Sequence, residues 1–271
     1  MNEKILINTG PSPRGFHRLE AFFTCPMKYR WNMKLAEAGH VRDPSFALVR
    51  GSIGHAGLAH HYARKVAVLK GKDPDRFYSP LDAMIRVADL LGDSGHVALK
   101  EAHRAFEFYV AAFAAETWEV IGIERLLETE FEGFRYTARA DLVVKIGSKV
   151  YMVDHKFVGR IEDKTFQRYS LSGQFLGQHH LGLREFGSDF GGVLINAVGC
   201  KTLAVERRAP EPAPFALGRY PAQVARVERQ IAMLAELPDE NWNMAVSEYA
   251  CFTPYGKCDH FDRCRWGTAV S

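Results

Sequence analysis

Two aspartates and a lysine lie on either side of a predicted turn in the middle of the chain. Asp141 precedes the apolar segment LVVKI, and Asp154 and Lys156 follow the segment KVYMV, with Gly147 and Ser148 between the two segments. A two-residue loop that begins with glycine is typical of a β-hairpin. Counting back from this turn, the pairing of the two strands places Asp141 directly opposite Asp154.

Two opposed carboxylates indicate a site for a cation. Directly opposed residues have Cβ atoms about 4.5–5.5 Å apart, and like charges at that distance destabilise a sheet unless something positive lies between them. Oxygen ligands favour Mg²⁺ or Mn²⁺. Lys156 projects to the same face as Asp154, because side chains two residues apart share a face of a strand. The alternative is that Asp141 ends a strand and that Asp154 to Lys156 form a polar edge of the sheet.

The rest of the chain predicts the elements that hold these residues. Strand-like alternation extends over residues 120–157, with breaks at Gly133 and Gly147. Apolar residues at helical spacing predict helices on both sides of this region. Their predicted ranges are 15–35 (broken at Cys25-Pro26), 51–69, 80–91, 97–116, 171–186 and 221–237, with a further strand at 192–198. This order predicts one α/β domain over residues 1–271, with a mixed sheet flanked by helices.

Composition narrows the classes of protein. The chain has 271 residues, of which 47% are hydrophobic, enough for a substantial core. We expect a cytoplasmic protein without a membrane span, because no apolar run of about eighteen residues and no signal peptide is recognisable. The net charge of +3 permits a nucleic-acid partner without requiring one.

Five cysteines are an odd number for a disulfide framework, and in a reducing cytoplasm they are more typical of metal ligands, catalysts or inert core residues. Cys251, Cys258 and Cys264 form a C-terminal trio that lacks a fourth ligand. Cys200 ends an apolar strand and is predicted to be buried. Four thiolates suit a [4Fe–4S] cluster or Zn²⁺ equally on ligand chemistry alone.

The ordered set of motifs resembles the PD-(D/E)XK nuclease superfamily, and in particular its RecB-type branch. The pattern D-x12-D-x-K spans Asp141 to Lys156, and Gly51 to His55 match G-x-x-x-H at the start of a predicted helix. The resemblance implies a restriction-endonuclease-like core in which His55, Asp141, Asp154 and the backbone carbonyl of His155 bind Mg²⁺ or Mn²⁺. It implies that Lys156 assists catalysis.

Two further catalytic candidates rest on the same resemblance. Gln174 matches the glutamine of a Q-x-x-x-Y motif that contacts phosphate or base, although position 178 is Gln instead of Tyr. Glu130 resembles an acidic position that precedes the first aspartate. The alternatives are a surface or helix-capping amide for Gln174, and for Glu130 a solvated strand face shared with Glu128 and Glu132.

The N-terminal sequence TCPMKYRW resembles that of iron–sulfur members of the RecB-type family. There one early and three late cysteines hold a [4Fe–4S] cluster, which implies Cys25, Cys251, Cys258 and Cys264 as ligands, with Zn²⁺ as the alternative occupant. The cluster would close the termini, and residues of about 73–116 would form a helical insertion. Cations and aromatics alternate from Lys28 to Lys34, as they do in single-strand grooves and also in helices docked on a core.

These features predict a metal-dependent deoxyribonuclease, most simply an exonuclease that hydrolyses phosphodiester bonds in single strands or at duplex ends. The resemblance suggests helicase, recombination or CRISPR-adaptation proteins as partners, in DNA processing or repair. Two other classes stay open. One is a non-hydrolytic DNA- or partner-binding module on the same fold. The other is a zinc-containing nucleic-acid-binding protein with structural aspartates.

Overall fold

A five-stranded mixed sheet forms the centre of the computed structural model, which describes residues 4–39, 44–245, 247–253 and 256–267. The first three strands form an antiparallel meander, the fourth is parallel to the third, and the fifth is antiparallel to the fourth. In spatial order they are β1 (Glu119–Phe131), β2 (Phe134–Ile146), β3 (Lys149–Val158), β4 (Phe190–Gly199) and β5 (Ala204–Arg208). The predicted α/β class with a mixed sheet is confirmed.

The hairpin between β2 and β3 has the predicted register. Its cross-strand pairs are Ile146 with Lys149, Val144 with Tyr151 and Leu142 with Val153. Gly147, the first residue of the turn, has φ of +60°, a left-handed conformation that costs glycine little. The register therefore brings Asp141 and Asp154 to adjacent positions at the same end of the hairpin.

Helices precede the sheet, cross over between β3 and β4, and follow β5. Before the sheet lie α1 (Phe16–Thr24), α2 (Pro26–Glu37), α3 (Phe46–Leu69), α4 (Pro80–Leu90) and α5 (Gly92–Ala112). After β3 come α6 (Asp163–Gln167), α7 (Gly173–Phe186), α8 (Pro214–Ala235), α9 (Glu248–Cys251), β6 (Phe252–Thr253), β7 (Gly256–Lys257) and α10 (Phe261–Trp266). The break between α1 and α2 falls at Cys25-Pro26, because proline is accepted in the first turn of a helix.

Each face of the sheet is buried by its own group of helices. One core contains residues of α1, α2, α7 and α8 together with Val143 and Met152 of the sheet. The other contains residues of α3, α4 and α5 together with Val144 and Val153. Adjacent strand residues therefore point into different cores, as the period of two requires. Helices α4 and α5, in the predicted helical insertion, pack on α3.

The last long helix differs from its prediction. It begins at Pro214 and contains Pro221, which was expected to start it. A proline inside a helix leaves the carbonyl four residues earlier without its hydrogen bond. His180 Nε2 lies 2.8 Å from the Leu217 oxygen and occupies that position. This contact from α7 explains how the helix continues through Pro221.

Strand β5 was not predicted, because its sequence AVERR is short and lacks strand-like alternation of apolar residues. The helices otherwise fall near their predicted ranges, although α3 begins at Phe46 and α5 at Gly92, each five residues earlier than expected. In the described part of the chain, no helix combines the length and apolar character needed to cross a bilayer.

Candidate active site

Most of the predicted catalytic and metal-binding residues meet at one cavity of about 250 Å³, which opens beside β2 and β3. Its walls include His55 from α3, Asp141 from β2, Asp154 and Lys156 from β3, and Gln174 from α7. Two helices, α3 and α7, therefore converge on the hairpin. Helix α7 reaches the cavity at its N-terminal end, whereas α3 contributes a residue from the middle of its length.

Asp141 is held from two sides. His55 Nδ1 lies 3.3 Å from its Oδ2, and the backbone N–H of His155 donates to the same oxygen at 2.6 Å. Burial opposes ionisation of Asp141, but the charge and hydrogen bond of His55 hold the pKa of the carboxyl at about 2. Burial also lowers the pKa of His55, and the Asp141 carboxylate more than offsets this, raising it to about 9. The two side chains therefore form an ion pair.

A third ligand candidate, Glu124, completes this group. One ligand atom each from His55, Glu124 and Asp141 lies within 4.8 Å of the others, which is the spacing of a metal site. Burial, followed by the charge of Asp141, raises the pKa of Glu124 to about 9. Its buried Oε2 has no hydrogen-bond donor, although Arg139 Nε lies 4.0 Å away. Oxygen and imidazole ligands, one of them unsatisfied, fit a divalent cation.

Glu124 lies opposite Asp141 in the pairing of β1 with β2, and its backbone conformation is unusual. It lies between Ile123, which pairs with Leu142, and Arg125, which pairs with Ala140, so it faces Asp141 across the strands. Its φ of +48° is left-handed, which is uncommon for a residue other than glycine. Strained conformations of this kind occur where the surrounding structure enforces them, often at functional sites.

Asp154 is enclosed by amide and ammonium donors. Lys156 Nζ contacts its Oδ2 at 2.6 Å, and Gln174 and Gln178 donate to its Oδ1 at 2.8 and 3.2 Å. The Gln174 oxygen also accepts from Lys156 at 3.2 Å. Burial lowers the pKa of Lys156, but the Asp154 carboxylate outweighs this and raises it. Lys156 is therefore an ammonium ion fixed beside the carboxylates.

The structure does not bring every predicted residue into this group. Glu130 is exposed on β1, pairs in register with Arg135, and does not line the cavity. The acidic residue of β1 that reaches the site is Glu124, six positions earlier. The ring of His155 points away from Asp154 into the core under α3 and α5, so only its backbone is directed at Asp141. Gln178, noted as a departure from the motif, contacts Asp154.

An N-terminal segment that the motifs did not identify forms another wall of the cavity. Thr9, Gly10, Pro11 and Ser12 line it, and hydrogen bonds tie the segment to β2. Ser12 Oγ donates to the Thr137 oxygen at 3.1 Å, and Arg139 Nη1 donates to the Asn8 oxygen at 3.2 Å. No sequence signal links these residues, because their partners lie more than a hundred positions away.

A second cavity, of about 210 Å³, is lined by Cys25, Cys251, Cys258 and Cys264. Burial and then the other three thiols raise the pKa of Cys264, consistent with four sulfurs close together. Cys200 is buried in the core beneath α3 and α5, as predicted. Four thiols that line one cavity fit a group bound by four thiolates better than they fit disulfide bonds.

The cationic and aromatic residues of α2 mostly make internal contacts. Tyr29 and Trp31 are buried, and Arg30 and Lys34 both pair with Asp239. These contacts agree with the alternative of a helix docked on a core, and they leave Lys28 as a cation beside the cysteine cavity.

Comparison with known proteins gives the class to which this arrangement belongs. A sequence profile of the PD-(D/E)XK nuclease superfamily matches residues 16–265. The chain belongs to the PD-(D/E)XK nuclease superfamily, which the fold and the Asp141–Lys156 hairpin had indicated.

Two solved structures are similar at low sequence identity. One is a protein from Eubacterium rectale, described as a candidate exonuclease, with 13% identity and a TM-score of 0.49; the match covers 91% of this chain and 82% of that one. The other is SSO0001, with 12% identity and a TM-score of 0.34, covering 83% of this chain and 90% of that one. No curated protein matched the sequence.

Proposed function

We propose that this chain is a metal-dependent deoxyribonuclease that hydrolyses phosphodiester bonds from DNA ends, in single strands or duplexes. The observation that carries the proposal is that a candidate cation site and an aspartate–lysine pair adjoin one cavity. His55 and Asp141 line the cavity and form the cation site together with Glu124, and Asp154 and Lys156 line the same cavity. Membership of a nuclease superfamily agrees with this chemistry.

His55, Asp141 and Glu124 would hold Mg²⁺ or Mn²⁺, with Asp154 and the His155 carbonyl as further ligands. When bound, such an ion activates the attacking water and offsets the negative charge that develops on the phosphate. Asp141 is ionised before an ion binds, because the charge and hydrogen bond of His55 lower its pKa. Glu124 and His55 must each lose a proton when an ion binds, because the pKa of both is raised and a metal-binding imidazole is neutral.

Lys156 supplies fixed positive charge for the phosphate. Its ammonium group is held by Asp154 and Gln174, so its position does not have to be organised during the reaction. Preorganised donors of this kind stabilise charge in the transition state more effectively than mobile ones. Gln174 and Gln178 orient Asp154, which leaves its Oδ2 and Lys156 directed at one another.

We also propose that the chain belongs to the iron–sulfur members of the RecB-type branch. The four cysteines that line one cavity come from both ends of the chain, and a [4Fe–4S] cluster needs four thiolates. Such a cluster would join the start of α2 to the C-terminal segment. Its role would be structural, because hydrolysis requires no electron transfer.

The test is incubation of anaerobically purified protein with end-labelled linear DNA and covalently closed circular DNA, each with and without Mn²⁺. The proposal predicts degradation of the linear DNA only when Mn²⁺ is present, with circular DNA left intact. Failure to cleave either DNA would contradict the nuclease assignment. Cleavage of circular DNA at a similar rate would contradict the exonuclease assignment and leave an endonuclease.

A further inference from the structure

Behind the candidate active site, a buried polar network joins five elements of the fold. His155 lies on β3 between Asp154 and Lys156, and its ring points to the opposite face of the sheet. It is 2% exposed and stacks with Tyr62 at 6.3 Å between ring centroids. Asn196, fully buried, is its partner in register on β4. None of the sequence motifs includes this pair of side chains.

The hydrogen bonds fix the orientation of each group in turn. Arg207 Nε, on β5, lies 3.1 Å from Asn196 Oδ1, and a guanidinium group can only donate. The amide nitrogen of Asn196 must therefore face His155, whose Nδ1 lies 2.5 Å away. An amide nitrogen can only donate, so His155 Nδ1 must accept. The ring proton of His155 is thereby placed on Nε2.

Arg207 is itself held rigidly. It contacts Glu116 at 2.5 Å and donates to the Tyr109 hydroxyl at 2.7 Å, and its guanidinium lies 3.3 Å from the ring centroid of Phe113. The Tyr109 hydroxyl is 2.6 Å from that of Tyr62, which donates to Glu116 at 2.8 Å. Tyr62 lies on α3, two turns after His55. The network thus links β3, β4, β5, α5 and α3.

We infer that Asn196 and Arg207 are positioning residues for the metal site, which they control through His155. The backbone N–H of His155 donates to Asp141 Oδ2 at 2.6 Å, so the setting of this peptide fixes one proposed metal ligand. Its ring is fixed by Asn196, and the same network holds α3, which carries His55. The inference rests on the proposed function, since it assigns a role in that site.

The network lies close to the proposed cation site, because the ring of His155 is 6.1 Å from that of His55. The hydrogen bond from Asn196 leaves the His155 ring one orientation, so the backbone N–H that donates to Asp141 is held in place with it. Outer hydrogen-bond partners of this kind typically change metal affinity or activity by about 10- to 100-fold when they are removed.

The test compares the wild type with Asn196→Leu and Asn196→Asp, with Arg208→Met, next to Arg207 on β5, as the control. Arg208 pairs with exposed carboxylates of Asp163 and Glu206 and does not touch the network. The first measurement is the tautomer of His155, read from ¹⁵N chemical shifts of histidine-labelled protein. The second is the dissociation constant for Mn²⁺ alone, measured by calorimetry without DNA. Melting temperatures report stability separately.

We expect the Nε2-protonated tautomer in the wild type and in Arg208→Met. Asn196→Asp, which presents an acceptor in place of the donor, should place a proton on Nδ1 of His155. Asn196→Leu should weaken Mn²⁺ binding about tenfold or more. A wild-type ring protonated on Nδ1 would overturn the inference.

The inference would also be overturned if both Asn196 variants bound Mn²⁺ as tightly as the wild type and only their melting temperatures were lowered. Asn196 would then have a structural role alone. If Asn196→Leu does not fold, the Mn²⁺ affinity and the His155 tautomer of the isosteric Asn196→Asp decide the test. This variant keeps the hydrogen bond to Arg207, which preserves the packing. A wild type that binds no Mn²⁺ contradicts the proposed function, and the tautomer still tests the hydrogen-bond network.

Discussion

At the scale of single residues, the site depends on how charges are spaced and buried. Asp141 stays ionised because of His55, whereas Glu124 is kept protonated by burial and by the neighbouring carboxylate. Asp141 is therefore ionised, and His55 and Glu124 are protonated, before any ion binds. A cation that binds these three groups would displace the protons of His55 and Glu124, which makes metal binding stronger as the pH rises.

Glu124 also gives a prediction about stability. Its pKa is about 9 in the folded protein and near 4.5 when unfolded, so between these values the folded state holds a proton that the unfolded state lacks. The free energy of unfolding of metal-free protein should therefore fall as the pH rises from about 5, by at most about 1.4 kcal/mol per pH unit for one proton. Glu124→Gln, which cannot titrate, should show a shallower decline.

The measurement is chemical denaturation of both proteins in metal-free buffer between pH 5 and 6. In this range His55, with its pKa raised from 6.5 to about 9, is mainly protonated in both states, so it contributes little. Equal slopes for the two proteins would show that Glu124 is ionised in the folded state.

Sequence reasoning found most of the site because its residues lie in short motifs. Asp141, Asp154 and Lys156 follow from one hairpin, whose register is determined by a two-residue turn. Glu130 was proposed because it resembles an acidic position of the superfamily. Strand alternation puts Glu124 on the same face as the exposed Glu130, since the two are six positions apart, but Glu124 is buried and has a left-handed φ. Such an irregularity depends on tertiary packing, which local sequence does not reveal.

At the scale of elements, the site is assembled where α3 crosses β3. Gly54 in α3 allows the close approach, because a Cβ built there would lie 2.4 Å from Cζ of Phe157 on β3. His55 is the next residue, so the distance between helix and strand determines where its imidazole lies. Gly51, one turn earlier, has open space where its Cβ would be.

These two glycines give a matched pair of variants. Gly54→Ala should lower the melting temperature and the nuclease rate together, since the helix or Phe157 must move and His55 moves with the helix. Gly51→Ala should leave the rate unchanged and stabilise the protein by about 0.5–1 kcal/mol, the usual gain for alanine over glycine in a helix. Thermal melts and rates on one DNA substrate test both expectations. A fully active, stable Gly54→Ala would contradict the role given to this contact.

The elements themselves were predicted where periodicity was strong. The meander and the helices on each side carry clear patterns of period two and 3.6. The start of α8 was misplaced because Pro221 is typical of a first turn, and the compensating contact from His180 is tertiary. Strand β5 forms by pairing with the edge of β4. Its own five residues do not indicate a strand.

At the scale of the whole molecule, α2 meets the C-terminal segment. The backbone of Met27 donates to the Asn243 oxygen at 3.1 Å, and His260 Nε2 lies 2.8 Å from Asn32 Oδ1. The cysteine cavity lies at this junction. Linking Cys25 to the C-terminal trio would close a loop of more than two hundred residues, which by analogy with a disulfide corresponds to about 4–5 kcal/mol.

Cys25→Ala should therefore lower iron content, solubility and melting temperature together, whereas Cys200→Ala should change none of them appreciably. Fresh wild-type protein should be brown, with a broad absorbance near roughly 400 nm and about four irons per chain. Metal analysis and thermal melts of the anaerobically prepared proteins test this. Stoichiometric zinc without iron would indicate the alternative occupant, and iron lost only from Cys200→Ala would contradict the ligand assignment.

The proposed function assigns metal-dependent hydrolysis of DNA to the Asp141–Lys156 hairpin. The most direct measurement is the rate of degradation of end-labelled linear DNA in Mn²⁺ by the wild type, Asp154→Ala and Lys156→Ala, with Glu128→Ala from the exposed face of β1 as control. Circular dichroism checks that each variant is folded. We expect both hairpin variants to lose about a hundredfold or more in rate, while Glu128→Ala stays active. Degradation by Asp154→Ala at the wild-type rate would contradict the assignment of hydrolysis to this hairpin.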